Sequence, residues 1–394
     1  MLKYLVILIC LYNFVDAAFA QSKKDLYLGL KANSISVKSA AIKKIFKTPD
    51  ASLHKSALNT FLTLPKSSKK KLLPHIIKFY KSASKKIKII ALRNITYANI
   101  LNPDIEKFLL YNLTKGSKDE KRQILNFLMI LGHRSKFAVS TLLNIYKLQS
   151  LEFKALILNI LGRSQSHKPA ILDLLLKSFD ENLHIRWQVA YILGNMGIKN
   201  HKIVTLLQNG LKDPNNGIIG RCAEALGKIN ASDKKTIDLL WDLRNSNNAG
   251  IRIKSMEALM RLYKNNKKKQ RALKIIEEEL DNNNKIIKCK AIRTILKADR
   301  NNSKAILSLL NLGKTNSGKE AILIIRELHL DNKAAFQFLL NKIKSRRVDI
   351  RILALSALWR IKKYHNKPSE SFFKKLYYKE SDLRVRKYLK QILQ

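Results

Sequence analysis

The sequence is poor in helix-breaking residues and in acidic residues. Its 394 residues include 13 Gly, 7 Pro and 3 Cys, and 29 Asp and Glu stand against 76 Lys and Arg. Strand-rich folds need many more turn residues, so the scarcity of Gly and Pro excludes an all-β protein and favours helices. Because 46% of the residues are hydrophobic, a disordered polycation is excluded as well.

The formal net charge of +47 has two interpretations, and both stay open. Lys, Asn and Ile are abundant together, which is typical of an AT-rich genome. A strong positive field also attracts anionic partners. Proteins that recognise phosphate by geometry usually favour Arg, whereas Lys predominates in this chain. The composition therefore indicates only the sign of a partner's charge.

Residues 1–20 have the features of a secretory signal peptide. Lys3 is followed by an apolar stretch, Tyr4–Val15, and by the small-x-small site Ala18-Phe19-Ala20. We expect cleavage after Ala20 and export to the periplasm or the extracellular space. An uncleaved anchor or a buried first helix is the alternative. No later segment reaches the length of a transmembrane helix, so we expect no membrane span in the mature chain.

One amphipathic segment recurs along the remainder of the chain. Ile185–Gly197 has the sequence IRWQVAYILGNMG, Ile251–Leu262 has IRIKSMEALMRL and Ile350–Ile361 has IRILALSALWRI. The sixth residue of each copy gives eleven anchors at a mean spacing of 33 residues. The anchors are Leu58, Leu92, Leu128, Leu158, Ala190, Ala223, Met256, Ile292, Leu323, Leu355 and Tyr388.

Each copy has the periodicity of a helix. In the copy that starts at Ile185, the apolar residues Val189, Ile192, Leu193 and Met196 form one stripe of a 3.6-residue helix. A second helical stretch lies between successive copies. Two helices in 33 residues bury their apolar faces only by stacking on their neighbours. We therefore predict an all-α fold, an α-solenoid (superhelix) of about eleven helix pairs that occupies residues 21–394.

The repeat resembles the HEAT family, and within it the HEAT-like repeats of the phycobilisome-lyase type. The resemblance rests on Asp180 before Ile185-Arg186, followed by Ala190 and by Leu193-Gly194, a pattern that recurs around Asp213. It implies a solenoid that serves as a scaffold in most family members. A few members are enzymes or bind nucleic acids.

A basic residue at the second position of the copy is the main candidate for partner binding. One such residue per repeat would form a row along the second helices, which the resemblance places on the concave face. The row is either an anion-binding surface or an Arg–Asp ladder between repeats, with Asp180, Asp213, Asp349 and Asp382 as its acids. The candidate partner-binding residues are Lys88, Lys154, Arg186, Arg252, Lys288, Arg351 and Arg384.

No catalytic, cofactor or metal site is predicted. None of the eight His is followed by Glu, which disfavours the iron-binding hydroxylases of HEAT-like fold. Zinc-type spacings, glycine-rich phosphate loops and nucleophile elbows are absent from the sequence. Trp187 and Trp359 stand beside Arg186 and Arg360, as in HEAT-like DNA glycosylases, but packing is the favoured role of large aromatic residues.

The sequence thus predicts an exported, non-enzymatic HEAT-type scaffold. It would be monomeric and would bind a protein or an anionic envelope component through an extended concave surface. The first alternative is a basic protein that binds nucleic acid or another anionic polymer. A HEAT-like lyase or hydroxylase is the least favoured function.

Two local features give further expectations. The last copy, if it starts at Leu383, has polar residues where the interior copies are apolar, so we expect a capping helix; a rotation by a residue or two is the alternative. In either case we expect three buried residues, Leu389, Ile392 and Leu393, and three exposed ones, Lys387, Lys390 and Gln391. Cys222 and Cys289 lie two repeats apart, so we expect buried thiols that are not bonded to each other.

Overall fold

The computed structural model describes residues 22–98, 100, 102–131, 136–164, 168–314, 318–365 and 368–394. Within these ranges the regular elements are α-helices and short 3-10 turns, which confirms the all-α class. The predicted signal peptide, residues 1–20, lies outside the described residues. The described residues form two compact units, which are divided between Ser178 and Phe179.

The first unit contains ten helices in its described part. The helix α1 covers residues 22–31 of that part. The others are α2 (Ile35–Ile45), α3 (Ala51–Thr63), α4 (Lys66–Ser82), α5 (Lys85–Tyr97), α6 (Pro103–Lys115), α7 (Lys118–Leu131), α8 (Lys136–Ile145), α9 (Leu151–Arg163) and α10 (Lys168–Ser178).

The second unit continues the alternation with thirteen helices in its described part. They are α11 (Leu183–Met196), α12 (His201–Gly210), α13 (Asn216–Lys228), α14 (Lys234–Asp242), α15 (Ala249–Leu262), α16 (Asn266–Glu278), α17 (Lys285–Ala298), α18 (Ser303–Lys314), α19 (Lys319–Leu328), α20 (Lys333–Lys342), α21 (Val348–His365), α22 (Glu370–Lys379) and α23 (Leu383–Leu393).

The predicted repeat organisation is confirmed. The eleven anchors fall on the odd-numbered helices from α3 to α23, and each even-numbered helix from α2 to α22 is the first helix of a pair. Second helices stack on one another, α3 through α9 in the first unit and α11 through α23 in the second. The chain is therefore an α-solenoid of HEAT-like helix pairs.

Asparagine side chains begin many of these helices. A side-chain oxygen at the N-cap accepts hydrogen bonds from backbone N–H groups of the first turn, which otherwise lack partners. In the described helices, nine starts use Asn in this way and three use Asp. The Asn caps are Asn102, Asn182, Asn200, Asn215, Asn248, Asn265, Asn284, Asn302 and Asn332, and the Asp caps are Asp50, Asp233 and Asp382.

Two glycines mark the closest approach of the second helices. A Cβ atom added to Gly194 of α11 would lie 2.9 Å from the Cα atom of Ala225 on α13. One added to Gly227 of α13 would lie 3.0 Å from the Cα atom of Ala258 on α15. The Leu-Gly element of the repeat is thus the point where one backbone touches the next.

The last helix shows that the predicted start at Leu383 is wrong by two residues. Val385 and Leu389 are buried, as are the first and fifth residues of the interior copies, whereas Leu383 is 76% exposed. With Val385 first, Leu389, Ile392 and Leu393 fall on the interior apolar positions, so the rotated alternative holds. Leu389 is 1% exposed, and Lys387, Lys390 and Gln391 are exposed, as predicted. Ile392 and Leu393 are only half-buried, so the expected full burial of these two residues was wrong.

Candidate functional site

Six of the seven candidate residues share one structural position. Lys88, Lys154, Arg186, Arg252, Lys288 and Arg351 are each the fourth residue of a second helix. Arg384 is the second residue of α23, and Arg386 is the fourth. Since the predicted register of this copy was two residues early, Arg386 and not Arg384 is the equivalent residue.

Arg252 and Arg351 make the same pair of contacts. Arg252 Nε donates to Glu279 Oε1 at 2.6 Å, and its Nη1 donates to the Ser246 carbonyl at 2.5 Å. Arg351 Nη2 donates to Glu380 Oε1 at 3.0 Å, and its Nη1 donates to the Ser345 carbonyl at 2.9 Å. Each guanidinium therefore joins the loop before its own helix to a carboxylate of the next repeat.

The rest of the arginine row follows the same arrangement in part. Arg186 Nε lies 3.3 Å from Asp213 Oδ2 in the next repeat. Arg386 Nη2 donates to the Glu380 carbonyl at 2.6 Å, which is the same loop bond as in Arg252. Arg384 instead binds the cap of its own helix, with Nη2 3.1 Å from Asp382 Oδ2, and is largely exposed.

The acids of this ladder were predicted incompletely. Asp213 is a partner as expected, but Asp349 pairs with Arg347 and Asp382 with Arg384, in each case an arginine two residues away in sequence. Glu279 and Glu380 were missed because only Asp residues were considered as the acids of the ladder. Spacing could have identified them, since Asp213, Glu279 and Glu380 follow Arg186, Arg252 and Arg351 by 27, 27 and 29 residues.

The lysines at the same position contact aromatic rings. Lys88 Nζ lies 5.5 Å from the ring centre of Tyr80, whose hydroxyl donates to Glu120. Burial raises the pKa of Glu120, but hydrogen bonds from Ser117 and Tyr80 and the charge of Lys88 outweigh it and lower that pKa. Lys154 Nζ lies 5.1 Å from the ring centre of Tyr146.

Lys288, at the same position of α17, forms no ion pair with a described residue. It differs in this from Arg186, Arg252 and Arg351.

A second group of charged side chains lies on the solvent-accessible side of three consecutive second helices. We call these nine residues the central charged face. Seven of them are basic and two are acidic. They are Arg221, Glu224 and Lys228 on α13, Lys254, Glu257 and Arg261 on α15, and Lys290, Arg293 and Lys297 on α17.

Glu224 forms ion pairs with three basic residues of this face. Its carboxylate lies 2.8 Å from Lys228 Nζ, 3.1 Å from Arg221 Nη1 and 3.4 Å from Lys254 Nζ. Burial raises the pKa of Glu224, but the three cations outweigh burial and lower it. Lys254 also reaches Glu257 at 3.1 Å, so α13 and α15 are joined by a continuous ion-pair network.

The basic excess of the face lies on α17. Arg293 and Lys297 share Glu327 of α19 at 2.9 and 3.4 Å. Lys290 is exposed and, among the described residues, pairs with no carboxylate. It lines a groove of about 270 Å³ together with Gly220, Arg221, Glu224, Gly250 and Lys254.

Aromatic residues border the central charged face on α11. Trp187 and Tyr191 are stacked with ring centres 6.0 Å apart, and the Arg221 guanidinium lies 4.1 Å from the ring centre of Trp187. Both rings are half-buried. Trp359 packs edge-on against Phe373 at 5.2 Å. The tryptophans therefore serve packing and cation–π contact between neighbouring repeats.

The described residues contain no group of three or more His, Cys, Asp or Glu placed to hold a metal ion. Within the same ranges, no helix has both the length and the apolar character needed to cross a bilayer. Cys222 and Cys289 are buried free thiols, as predicted.

Residues 168–260 match the family model of HEAT repeats, which confirms the resemblance over that stretch. Yeast importin-β (Kap95p) is similar in structure, with a TM-score of 0.56 and 10% identity over 96% of this chain and 61% of its own. Kap121p bound to Nup53p has a TM-score of 0.42 and 14% identity over 95% of this chain and 45% of its own. The chain thus spans less than two thirds of either karyopherin. No curated protein matches the sequence.

Proposed function

We propose, on the premise that this chain is built of HEAT repeats, that it is an exported, non-enzymatic scaffold. Its partner would be a protein with an acidic surface that binds the central charged face. The observation that carries the proposal is the face itself, with seven basic and two acidic residues on three adjoining helices. Ion pairs hold its side chains in place, so little conformational entropy is lost on binding.

The contacts favour a protein over a uniform polyanion. A polymer of phosphates is bound by cations that are free to replace its counterions. Arg186, Arg252 and Arg351 are already engaged by carboxylates of the next repeat. Glu224 and Glu257 would repel phosphates at the centre of the face. A surface of mixed sign with a basic excess fits a folded partner of the complementary mixture.

The test is a charge reversal on α17, the helix that carries the basic excess of the face. We expect Lys290→Glu with Lys297→Glu to abolish cross-linking of a proteinaceous partner in envelope extract. The matched control is Lys375→Glu with Lys379→Glu on α22, two exposed lysines that pair with no described carboxylate. An equal loss in both variants would show that net charge alone drives binding. Recovery of nucleic acid as the cross-linked species would refute the protein partner.

Export is a separate part of the proposal and rests on residues 1–20. Fractionation of the producing cell should place the protein outside the cytoplasm, and sequencing of its N-terminus should begin at Gln21. A cytoplasmic protein that retains Met1 would refute export without affecting the role of the central charged face.

A further inference from the structure

The beginning of the first unit has the most one-sided charge of the chain. Residues 22–100 contain eighteen Lys and Arg but only two acidic residues, Asp25 and Asp50. Fifteen of the eighteen basic residues are exposed. In the sequence of residues 101–394 there are 57 basic and 26 acidic residues, so the excess of positive charge in residues 22–100 exceeds the general bias of the chain.

The carboxylate of Asp50 is already committed. Its Oδ1 caps α3 by accepting from the backbone N–H groups of Ser52 and Leu53 at 2.8 and 3.1 Å. Its Oδ2 lies 2.6 Å from Lys23 Nζ. The hydrogen bonds from Lys23 and Ser52 hold the pKa of Asp50 far below its usual range. The charge of Asp50 is therefore balanced by Lys23, and Asp50 does not form an ion pair with Lys24 or Lys31.

Exposed apolar side chains accompany these cations. Tyr27 is 44% exposed and Leu28 55%, and on α2 Ile35 and Val37 are 46% and 45% exposed. Four of the thirteen exposed large apolar side chains of the described residues thus fall within eleven consecutive positions. Such clustering on a monomer marks an interaction surface rather than scattered exposure.

On α1 the two kinds of residue form one stripe. Lys24, Tyr27, Leu28 and Lys31 are three and four residues apart, so they share one side of the helix. Lys31 Nζ lies 4.6 Å from the ring centre of Tyr27. Two apolar side chains are therefore flanked by a lysine one turn before and one turn after.

The opposite side of α1 fixes the helix on the solenoid. Leu30 is buried, and a Cβ atom added to Gly29 would lie 2.9 Å from Ala41 Cβ on α2. The pair between Lys23 and Asp50 ties the start of α1 to the cap of α3. The stripe is thus presented outward from a helix that is held on its inner side.

We propose that this N-terminal face (Lys24, Tyr27, Leu28 and Lys31 of α1, with Ile35 and Val37 of α2) docks on an anionic lipid bilayer. Apolar side chains enter the interface while lysine side chains extend to the headgroups, and each lysine adds attraction to an anionic surface. A polyanion would engage the lysines but gain nothing from Leu28. A second copy of the same face would bring like charges together, which opposes self-association.

The experiment is sedimentation of the purified exported protein with vesicles. The vesicles contain phosphatidylglycerol and phosphatidylcholine in equal parts, or phosphatidylcholine alone. We expect binding to the anionic vesicles only. Tyr27→Ser with Leu28→Ser should weaken it at least tenfold, and Lys24→Gln with Lys31→Gln should weaken it roughly fivefold for each lysine. Tyr378→Ser with Leu383→Ser, two exposed apolar residues of the last pair, is the matched control and should bind as the parent does.

Three results would overturn the proposal. Unchanged binding of the Tyr27→Ser, Leu28→Ser variant would show purely electrostatic attraction. An equal loss in the control variant would show that the effect is not local. A dimer that dissociates on Leu28→Ser would assign the face to a second copy. If the signal peptide were not cleaved, the protein would bind neutral and anionic vesicles alike. Lys290→Glu should weaken binding of the protein partner but not binding to vesicles. A failure of the proposed function can therefore be distinguished from a failure of the proposed membrane contact.

Discussion

The close contact between second helices predicts opposite effects for the same substitution at two glycines. Gly194 of α11 and Gly220 of α13 both lie inside helices, where Ala is preferred over Gly by about 1 kcal/mol. At Gly220 the nearest atom to an added Cβ is Lys254 Cγ at 3.8 Å, an ordinary contact. Gly220→Ala should therefore raise the free energy of unfolding by about 1 kcal/mol.

At Gly194 the added methyl group has no room. It would lie 2.9 Å from Ala225 Cα and 3.0 Å from Ala225 Cβ, and the first of these is a backbone atom that moves only with its helix. Overpacking of this kind typically costs about 1–3 kcal/mol. After subtraction of the gain in helix propensity, Gly194→Ala should lower the free energy of unfolding by roughly 1 kcal/mol.

Urea denaturation followed by circular dichroism measures both variants against the parent, with the slopes compared to verify that the transitions are alike. The expected difference between the two variants is roughly 2 kcal/mol. If Gly194→Ala were as stable as Gly220→Ala, the helices would not be in backbone contact, and the explanation of the Leu-Gly element would be wrong.

Three further predictions concern single side chains. Arg252→Gln should lower the free energy of unfolding by about 2–3 kcal/mol, because Glu279 would remain buried without its cation, and Arg252→Lys should restore only part of the loss. Leu389→Ala should cost about 2–5 kcal/mol by thermal or urea unfolding and Lys390→Ala almost nothing; the reverse order would invalidate the corrected register. Burial raises the pKa of Cys222 to about 12, so its thiolate is scarce at mildly alkaline pH, and alkylation followed by mass spectrometry should modify it only after denaturant is added.

The fold was predictable from the sequence because the repeat supplies many copies of one pattern, so an unclear helix assignment in one copy is resolved by the others. Each copy places apolar residues on one helical stripe, and eleven copies give the same period. The prediction failed at the last copy, where Leu383-Arg384 imitates the aliphatic-basic start and only burial shows that Val385 is first. A single copy without a following repeat offers no second spacing against which to verify its register.

The candidate site was less predictable from the sequence. The position of Arg252 and Arg351 in the repeat was correct, but their acidic partners were sought among Asp residues alone, although Glu279 and Glu380 follow these arginines by 27 and 29 residues. The central charged face was missed although its copies carry a signal. The fourth and eleventh residues of the copies that start at Ile218, Ile251 and Ile287 are basic, whereas the copy from Ile185 has Gln188 and Asn195 there. What the sequence does not show is that these side chains adjoin across helices and share carboxylates such as that of Glu224.

The predominance of Asn over Asp at the helix starts has a consequence for the colloidal behaviour of the protein. An Asp cap satisfies the same backbone groups and interacts more favourably with the helix dipole, but each one removes a unit of positive charge. The nine neutral Asn caps of the described helices leave the net charge of +47 undiminished. Copies of the chain should therefore repel one another and stay dispersed at low ionic strength, and they should coprecipitate readily once a multivalent anion screens and bridges them.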